Sequence, residues 1–196
     1  MTEDNDEKLE NERKQIVKKI DAEAKKEHKS GLVMAAEKNK PNITALIIDV
    51  KLRDGTLNKN DLEAALKALS AKNLNNKKET ENSLIIGKAE LEAKEEGKPV
   101  LIFLAEKDNT EIMKLIIDQK EKFGTLKLTE LSEALETASQ NKNKDIVEIL
   151  KDTQKRVSLV QCDEIKKQLS TSEQIENKAY SNVARYSKQP KSDRSR

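Results

Sequence analysis

The feature that most constrains this chain is an internal duplication at a spacing of 69 residues. LVMAAEKNKPNITALIIDVK, beginning at Leu32, lies over LIFLAEKDNTEIMKLIIDQK, beginning at Leu101, and LRDGTLNKNDLEAALKALSAKN then lies over EKFGTLKLTELSEALETASQNK without a gap. Between Leu32 and Asn73, 17 of 42 positions are identical, among them Gly55 with Gly124 and Thr56 with Thr125. The Ile47-Ile48-Asp49 run matches Ile116-Ile117-Asp118. Such a repeat obliges the chain to build one substructure twice, because the same apolar pattern and the same turn residues act in both copies.

Each block divides again. Ala35, Leu69, Leu104 and Ala138 occupy equivalent helix positions at spacings of 34, 35 and 34 residues, which predicts four units of two helices. Leu32, Ala35 and Ala36 mark the buried stripe of a short first helix, and Ile43, Leu46 and Ile47 that of the second. The turn between them is Lys38-Asn39-Lys40. Asn39, Asp108 and Asn73 stand where first helices should stop, and Asn and Asp tolerate the left-handed conformation there. Pro41 and Thr110 then open the second helices, where a missing N–H costs little. In the second unit an insertion, Leu74 to Ser83, separates the helices, and Leu84, Ile85 and Ile86 are expected to begin the returning one. The predicted core is Leu32, Ala36, Ile43, Ile47, Leu101, Ala105, Ile112, Ile116, Leu135, Ala138, Ile146 and Leu150.

Composition points the same way. Hydrophobic residues are 35% and charged residues 38% of 196, against roughly 45–50% and about 25% in ordinary globular chains, so much of the molecule must be solvated. Two Phe, two Tyr and no Trp leave the core to aliphatic residues, which suits thin helical layers. Three Pro and five Gly are too few for the turns of an all-β fold, so an all-α chain is expected.

At this level the sequence resembles the ankyrin repeat family. The resemblance rests on GKPVLIFLAEKDNTEIMKLII, Gly97 to Ile117, and ALETASQNKNKDIVEILK, Ala134 to Lys151. Glu111-Ile112-Met113-Lys114-Leu115-Ile116 and Asp145-Ile146-Val147-Glu148-Ile149-Leu150 reproduce the second repeat helix almost in register. The Thr-Pro-Leu-His signature is absent, with Pro99-Val100-Leu101-Ile102 its nearest relic, and the Gly-Ala-Asp start of the inter-repeat hairpin is missing. The expected architecture is therefore an all-α solenoid of about four ankyrin-like helix pairs over residues 31–151, in two 69-residue blocks. A charged N-terminal capping helix occupies residues 1–30, with Leu9, Ile16, Val17 and Ile20 on one side. A helical extension, with a first helix from Val157 to Leu169 and a second begun by Ser172, is expected over residues 152–186. A disordered basic tail follows over 187–196.

Few residues here could carry chemistry. Asp54-Gly55-Thr56-Leu57 with Asp61 imitates half of a calcium loop, but the early ligand positions fall on Val50 and Leu52. His28 is the only histidine, so neither a zinc cluster nor a His-based triad has a second member. Cys162, the one cysteine, stands beside Asp163 and Glu164, which would raise its thiol pKa, and excludes an intrachain disulfide. No catalytic residue, metal or cofactor is expected, and the chain is not expected to be an enzyme. MTEDNDEKLENERK has no apolar core for a secretory signal, no apolar run would span a membrane, and a reducing, cytoplasmic setting is expected.

What the resemblance implies is protein recognition along the concave face of the first helices and the connector tips. Carried onto this chain, those positions are Glu37, Lys38, Ala71, Lys72, Glu106, Lys107, Gln140 and Asn141, with Arg53, Asp54, Lys122 and Phe123 on the connectors. Phe123 has two open readings, a binding anchor on a projecting loop or an apolar side chain folded back onto the core. The partner is expected to be another protein, bound by a monomer. The 32 Lys against 6 Arg, with many Asn and Ile, suggest AT-rich coding of the sort common in host-associated bacteria. Divergent ankyrin proteins from such sources are often effectors delivered into host cells by a route other than Sec. The competing expectation is a nucleic-acid-associated helical protein that uses its basic tail, with Tyr180 and Tyr186 available for stacking.

Overall fold

The computed structural model describes residues 3–72, 74 and 77–160, with side chains from residue 7 onward. Every regular element among them is helical. The chain divides into two compact units, Met1–Leu150 and Lys151–Arg196. In the first unit the helices are α1 (Glu3–Lys26), α2 (Gly31–Glu37), α3 (Pro41–Arg53), α4 (Lys59–Ala71), α5 (Lys78–Glu95), α6 (Val100–Glu106), α7 (Thr110–Lys122) and α8 (Leu128–Gln140). A ninth, α9, begins at residue 144, and of the second unit the described residues 151–160 are helical throughout. Cys162, the expected helices up to Leu169 and from Ser172, Tyr180, Tyr186 and the 187–196 tail lie outside the described residues, as does Asn73.

The 69-residue register holds element by element. Shifted by 69, α2 falls on α6, α3 on α7 and α4 on α8 with the same first and last residues, and the end of α1 falls on the end of α5. The turns repeat as well. Asn39 (φ 48°) and Asp108 (φ 55°) take the left-handed conformation that the sequence predicts, and Gly55 (69°) and Gly124 (63°) take it at the next turn. After α1 the position is His28 (57°), and after α5 it is Gly97 (68°). Both close the same way: Lys29 N donates to Ala24 O and Lys98 N to Ala93 O, each at 3.0 Å.

α1 is thus a copy of α5 with one face rewritten. On α5, Thr80, Leu84, Gly87 and Leu91 are buried, while their counterparts on α1 are Asn11, Gln15, Lys18 and Ala22, all exposed. The opposite face keeps its apolar residues in both copies: Val17 and Ala24 are buried like Ile86 and Ala93. Leu9 and Ile16, expected on the packed side, are instead exposed (55% and 44%), because the face that meets α2 and α3 is the one carrying Val17, Ile20 and Ala24.

Packing runs along two rows. Within pairs α2 meets α3, α4 meets α5 and α6 meets α7; between pairs α2 meets α4, α3 meets α5, α6 meets α8, and α5 meets both α6 and α7. Nine of the twelve predicted core residues are buried. Ile43, Ile112 and Leu135 are only half-buried. In α3 and α7 the buried stripe is turned by one residue, to Thr44, Ile47, Ile48 and Met113, Ile116, Ile117, since these helices have neighbours on two sides. In α8 the smaller Ala134 takes the central place, beside Leu131 and Ala138. The insertion also differs from expectation: α5 starts at Lys78, so residues 78–83 extend the returning helix instead of preceding it. Val157 and Val160 likewise lie in a helix that is already under way at residue 151.

Caps close the first turns. Ser30 Oγ accepts from Val33 N, Asn58 Oδ1 from Asp61 N at 2.8 Å and Asn109 Oδ1 from Ile112 N at 3.1 Å. Asn143 Oδ1 does the same for Ile146 N at 3.2 Å.

Two features predict stabilising substitutions. Thr44 is fully buried and its Oγ1 has no hydrogen-bond partner among the described residues, whereas the equivalent residue in the second block is Met113, also fully buried. Thr44→Val removes the unmet hydroxyl at nearly constant shape and should raise unfolding stability by about 1 kcal/mol in urea denaturation. His28 pays a left-handed backbone cost that Gly97 does not, and His28→Gly should gain about 0.5 kcal/mol after the extra freedom glycine gives the unfolded chain is subtracted. A lowered urea midpoint in either variant would contradict the corresponding argument.

Candidate functional site

The residues predicted for recognition fall into two sets. Glu37, Lys38, Ala71, Lys72, Glu106, Lys107, Gln140 and Asn141 close α2, α4, α6 and α8, and all but the half-buried Glu37 are exposed. Arg53, Asp54, Lys122 and Phe123 close α3 and α7 and are also exposed. α3 and α7 each run 13 residues from the hairpin turn, about 20 Å at 1.5 Å per residue, so the two sets do not form one patch.

In the first set the duplication repeats an ion-pair pattern across a short helix. Lys29 Nζ reaches Glu37 at 2.6 Å and Glu27 at 3.7 Å, and in the second block Lys98 reaches Glu106, and Glu96 at 3.5 Å. Seven-residue helices, about 10 Å long, let a lysine before the helix reach a carboxylate at its end. The hydrogen bond from Lys29 holds the Glu37 carboxyl below the usual range, with Lys72 and Lys38 adding to the field. The bond from Lys107, at 3.1 Å, does the same for Glu96, and Lys107 also stands 5.4 Å over the Phe103 ring. The structure therefore brings Glu37, Lys38 and Lys72 near one another at adjacent helix ends. Gln140 pairs with Glu136 of its own helix at 3.3 Å.

The second set borders a groove of about 630 Å³ that runs over α5 between α3 and α7. Ile86 and Glu90 form its floor, Leu46 and Ile48 one wall, and Ile116 and Phe123 the other. Phe123 is 64% exposed, with Lys122 Nζ 6.0 Å from its ring centre, so its side chain does not close the core. Arg53 stands at the rim and is held by Asp49 (2.7 Å) and Glu10, and Arg13 reaches the same Asp49 at 3.1 Å. Asp54 is paired with Lys14 at 3.1 Å. Lys120 donates to both oxygens of Glu130, at 2.8 and 2.9 Å. Burial pushes the Glu90 carboxyl above the usual range, opposed by the nearby Lys120 and reinforced by Asp49.

The sequence reading did not single out Glu90. The signal was available: under the 69-residue shift Glu90 falls on Asp21 and Lys120 on Lys51, and in the first block Lys51 Nζ pairs with Asp21 at 3.0 Å. Among the described residues no three His, Cys, Asp or Glu side chains come together so as to hold a metal ion. No described helix is long and apolar enough to cross a membrane. Comparison with protein-family models, with curated proteins and with solved structures gives no match to this chain.

Proposed function

We propose that this chain is a degenerate ankyrin-like repeat array whose work is to bind another protein, in the cytoplasm of its own cell or of a host. The reading draws on the four helix pairs at 34- and 35-residue spacing and on short first helices in two of the four pairs, which would curve such a stack toward its shorter row. The observation that carries it is Phe123: one of only two phenylalanines in the chain stands 64% exposed on the lip of a groove, anchored at a helix end. An aromatic ring held on a rigid scaffold has little rotamer freedom to lose on binding, which is why such residues dominate interface energies. The helix-end clusters around Glu37 and Glu106 would add orientation through charge and little net affinity, since most of their ions already have partners.

The test begins with affinity capture from source-cell and host lysates and continues with the captured protein in quantitative binding. Phe123→Ala should weaken that complex by about 2 kcal/mol, and Lys107→Glu should chiefly slow association. Deleting residues 187–196 should leave the affinity almost unchanged. Binding that vanishes with the tail and ignores both substitutions would move function to the basic tail, as the nucleic-acid alternative requires, and the salt dependence would then follow the number of phosphates neutralised.

A further inference from the structure

Among the described residues, the α3–α5–α7 groove contains one carboxyl that no cation pairs with directly. Arg13 and Arg53 are taken by Asp49 and Glu10, and Lys120 is taken by Glu130. Glu90 makes no hydrogen bond and no ion pair among the described residues. Its duplicate shows what that position is built to hold: Asp21 accepts from Gly31 N at 3.0 Å and from Lys51 Nζ at 3.0 Å.

Both donors are lost in the second copy for visible reasons. A Cβ on Gly31 would lie 2.5 Å from Asp21 Oδ1, and the residue equivalent to Gly31 is Val100, which carries that Cβ. Lys120, equivalent to Lys51, is drawn to Glu130, whose own counterpart Asp61 is occupied by the Asn58 cap. The copy at Glu90 has kept the carboxyl and given away its ammonium.

Resting on the protein-binding reading above, we propose that this groove is the seat for one lysine or arginine side chain of the partner protein, carried on an apolar segment, with its cation on Glu90. The flanking apolar side chains of that segment lie along Ile86 and Leu46, and the Phe123 ring covers the stem of the basic residue. Charge complementarity selects this occupant over others. A neutral apolar segment would bury the carboxylate without a counterion, and an acidic one would place like charge against it. A basic residue instead supplies the ammonium that Lys51 supplies to Asp21.

The test uses the full chain and three synthetic helical peptides of identical leucine–alanine sequence that differ only at a central Lys, Gln or Glu. In fluorescence polarisation the Lys peptide should bind about tenfold more tightly than the Gln peptide, with the Glu peptide weakest. Glu90→Gln, nearly isosteric and checked for unchanged helicity, should bring the Lys-to-Gln ratio close to one, while Phe123→Ala should weaken both peptides. A second variant reaches the same point without touching Glu90: Glu130→Gln releases Lys120 to neutralise Glu90 from within and should also erase the Lys preference. A Lys preference that survives Glu90→Gln, equal binding of the Lys and Gln peptides to the unaltered chain, or no binding of any peptide would overturn the proposal. If that happens while Phe123→Ala still weakens the captured partner, protein binding stands and only the basic-residue seat falls.

Discussion

Replacing Ile146 with Asp should unfold the first compact unit. Ile146 is fully buried in α9, and its backbone N–H is fixed by the Asn143 cap at 3.2 Å, so the new carboxylate could not turn to water without taking the first turn of α9 with it. The substitution loses the transfer energy of an isoleucine, about 2–3 kcal/mol, and adds several kcal/mol for a buried unpaired carboxylate. That is comparable to the whole stability of a domain of this size, about 5–15 kcal/mol. Ile112→Asp is the control. Ile112 is half-buried, so its side chain can reach solvent from the edge of α7, and its cost should be about 1–2 kcal/mol. Far-ultraviolet circular dichroism and thermal melting of the two variants check the contrast. Equal melting temperatures would mean that the α9 contact is not part of the cooperative unit.

The second large effect is expected at Gly87. This residue lies in the middle of α5, where glycine costs a helix about 1 kcal/mol, so something must require it. A Cβ there would lie 2.7 Å from Ile48 Cγ2, 3.0 Å from its Cδ1 and 3.3 Å from its Cγ1. Ile48 is itself buried and β-branched, with little room to rotate away. The missing side chain lets α3 and α5 approach closely at the center of the first unit. Gly87→Leu should therefore cost about 3 kcal/mol through overpacking, more than offsetting the gain in helix propensity. Shortening Ile48 to Ala in the same chain should recover part of the loss, a coupling that a double-mutant cycle measures directly. At the equivalent position of α1, Lys18 is exposed, and Lys18→Leu should change stability by no more than about 0.5 kcal/mol.

Much of this architecture is legible in the sequence because the duplication is strong where helices pack and turn. Asn39 and Asp108 announce their left-handed turns, and Pro41 and Thr110 announce the starts of α3 and α7, since local backbone chemistry decides both. The equivalence of α1 and α5 is legible in part: Gln15-Ile16-Val17-Lys18-Lys19-Ile20 echoes a second repeat helix, and Ile16, Lys19, Glu23, Ala24 and Lys25 recur 69 residues on as Ile85, Lys88, Glu92, Ala93 and Lys94. The face that differs, Gln15 against Leu84 and Lys18 against Gly87, is not legible, because it reflects only which neighbours each helix has. The half-burial of Ile43 and Ile112 escapes periodicity for a related reason. A helix packed on two sides has a stripe too broad for one set of positions to define. The groove is harder still, because Asp49, Glu90 and Phe123 meet only through the packing of α3, α5 and α7, and the vacancy at Glu90 follows from two residues elsewhere, Val100 and Glu130.

Hydrogen–deuterium exchange of the full chain, alone and with its captured partner, tests the central claim most directly. Slowed exchange on binding should fall at the C-terminal end of α7 through Phe123 and Thr125 and at the helix ends near Lys38 and Lys107, with the middle of α3 and α5 already protected in the free chain. Protection confined to residues beyond 160, with α7 and the helix ends unchanged, would contradict the claim that the repeat array is the recognition surface.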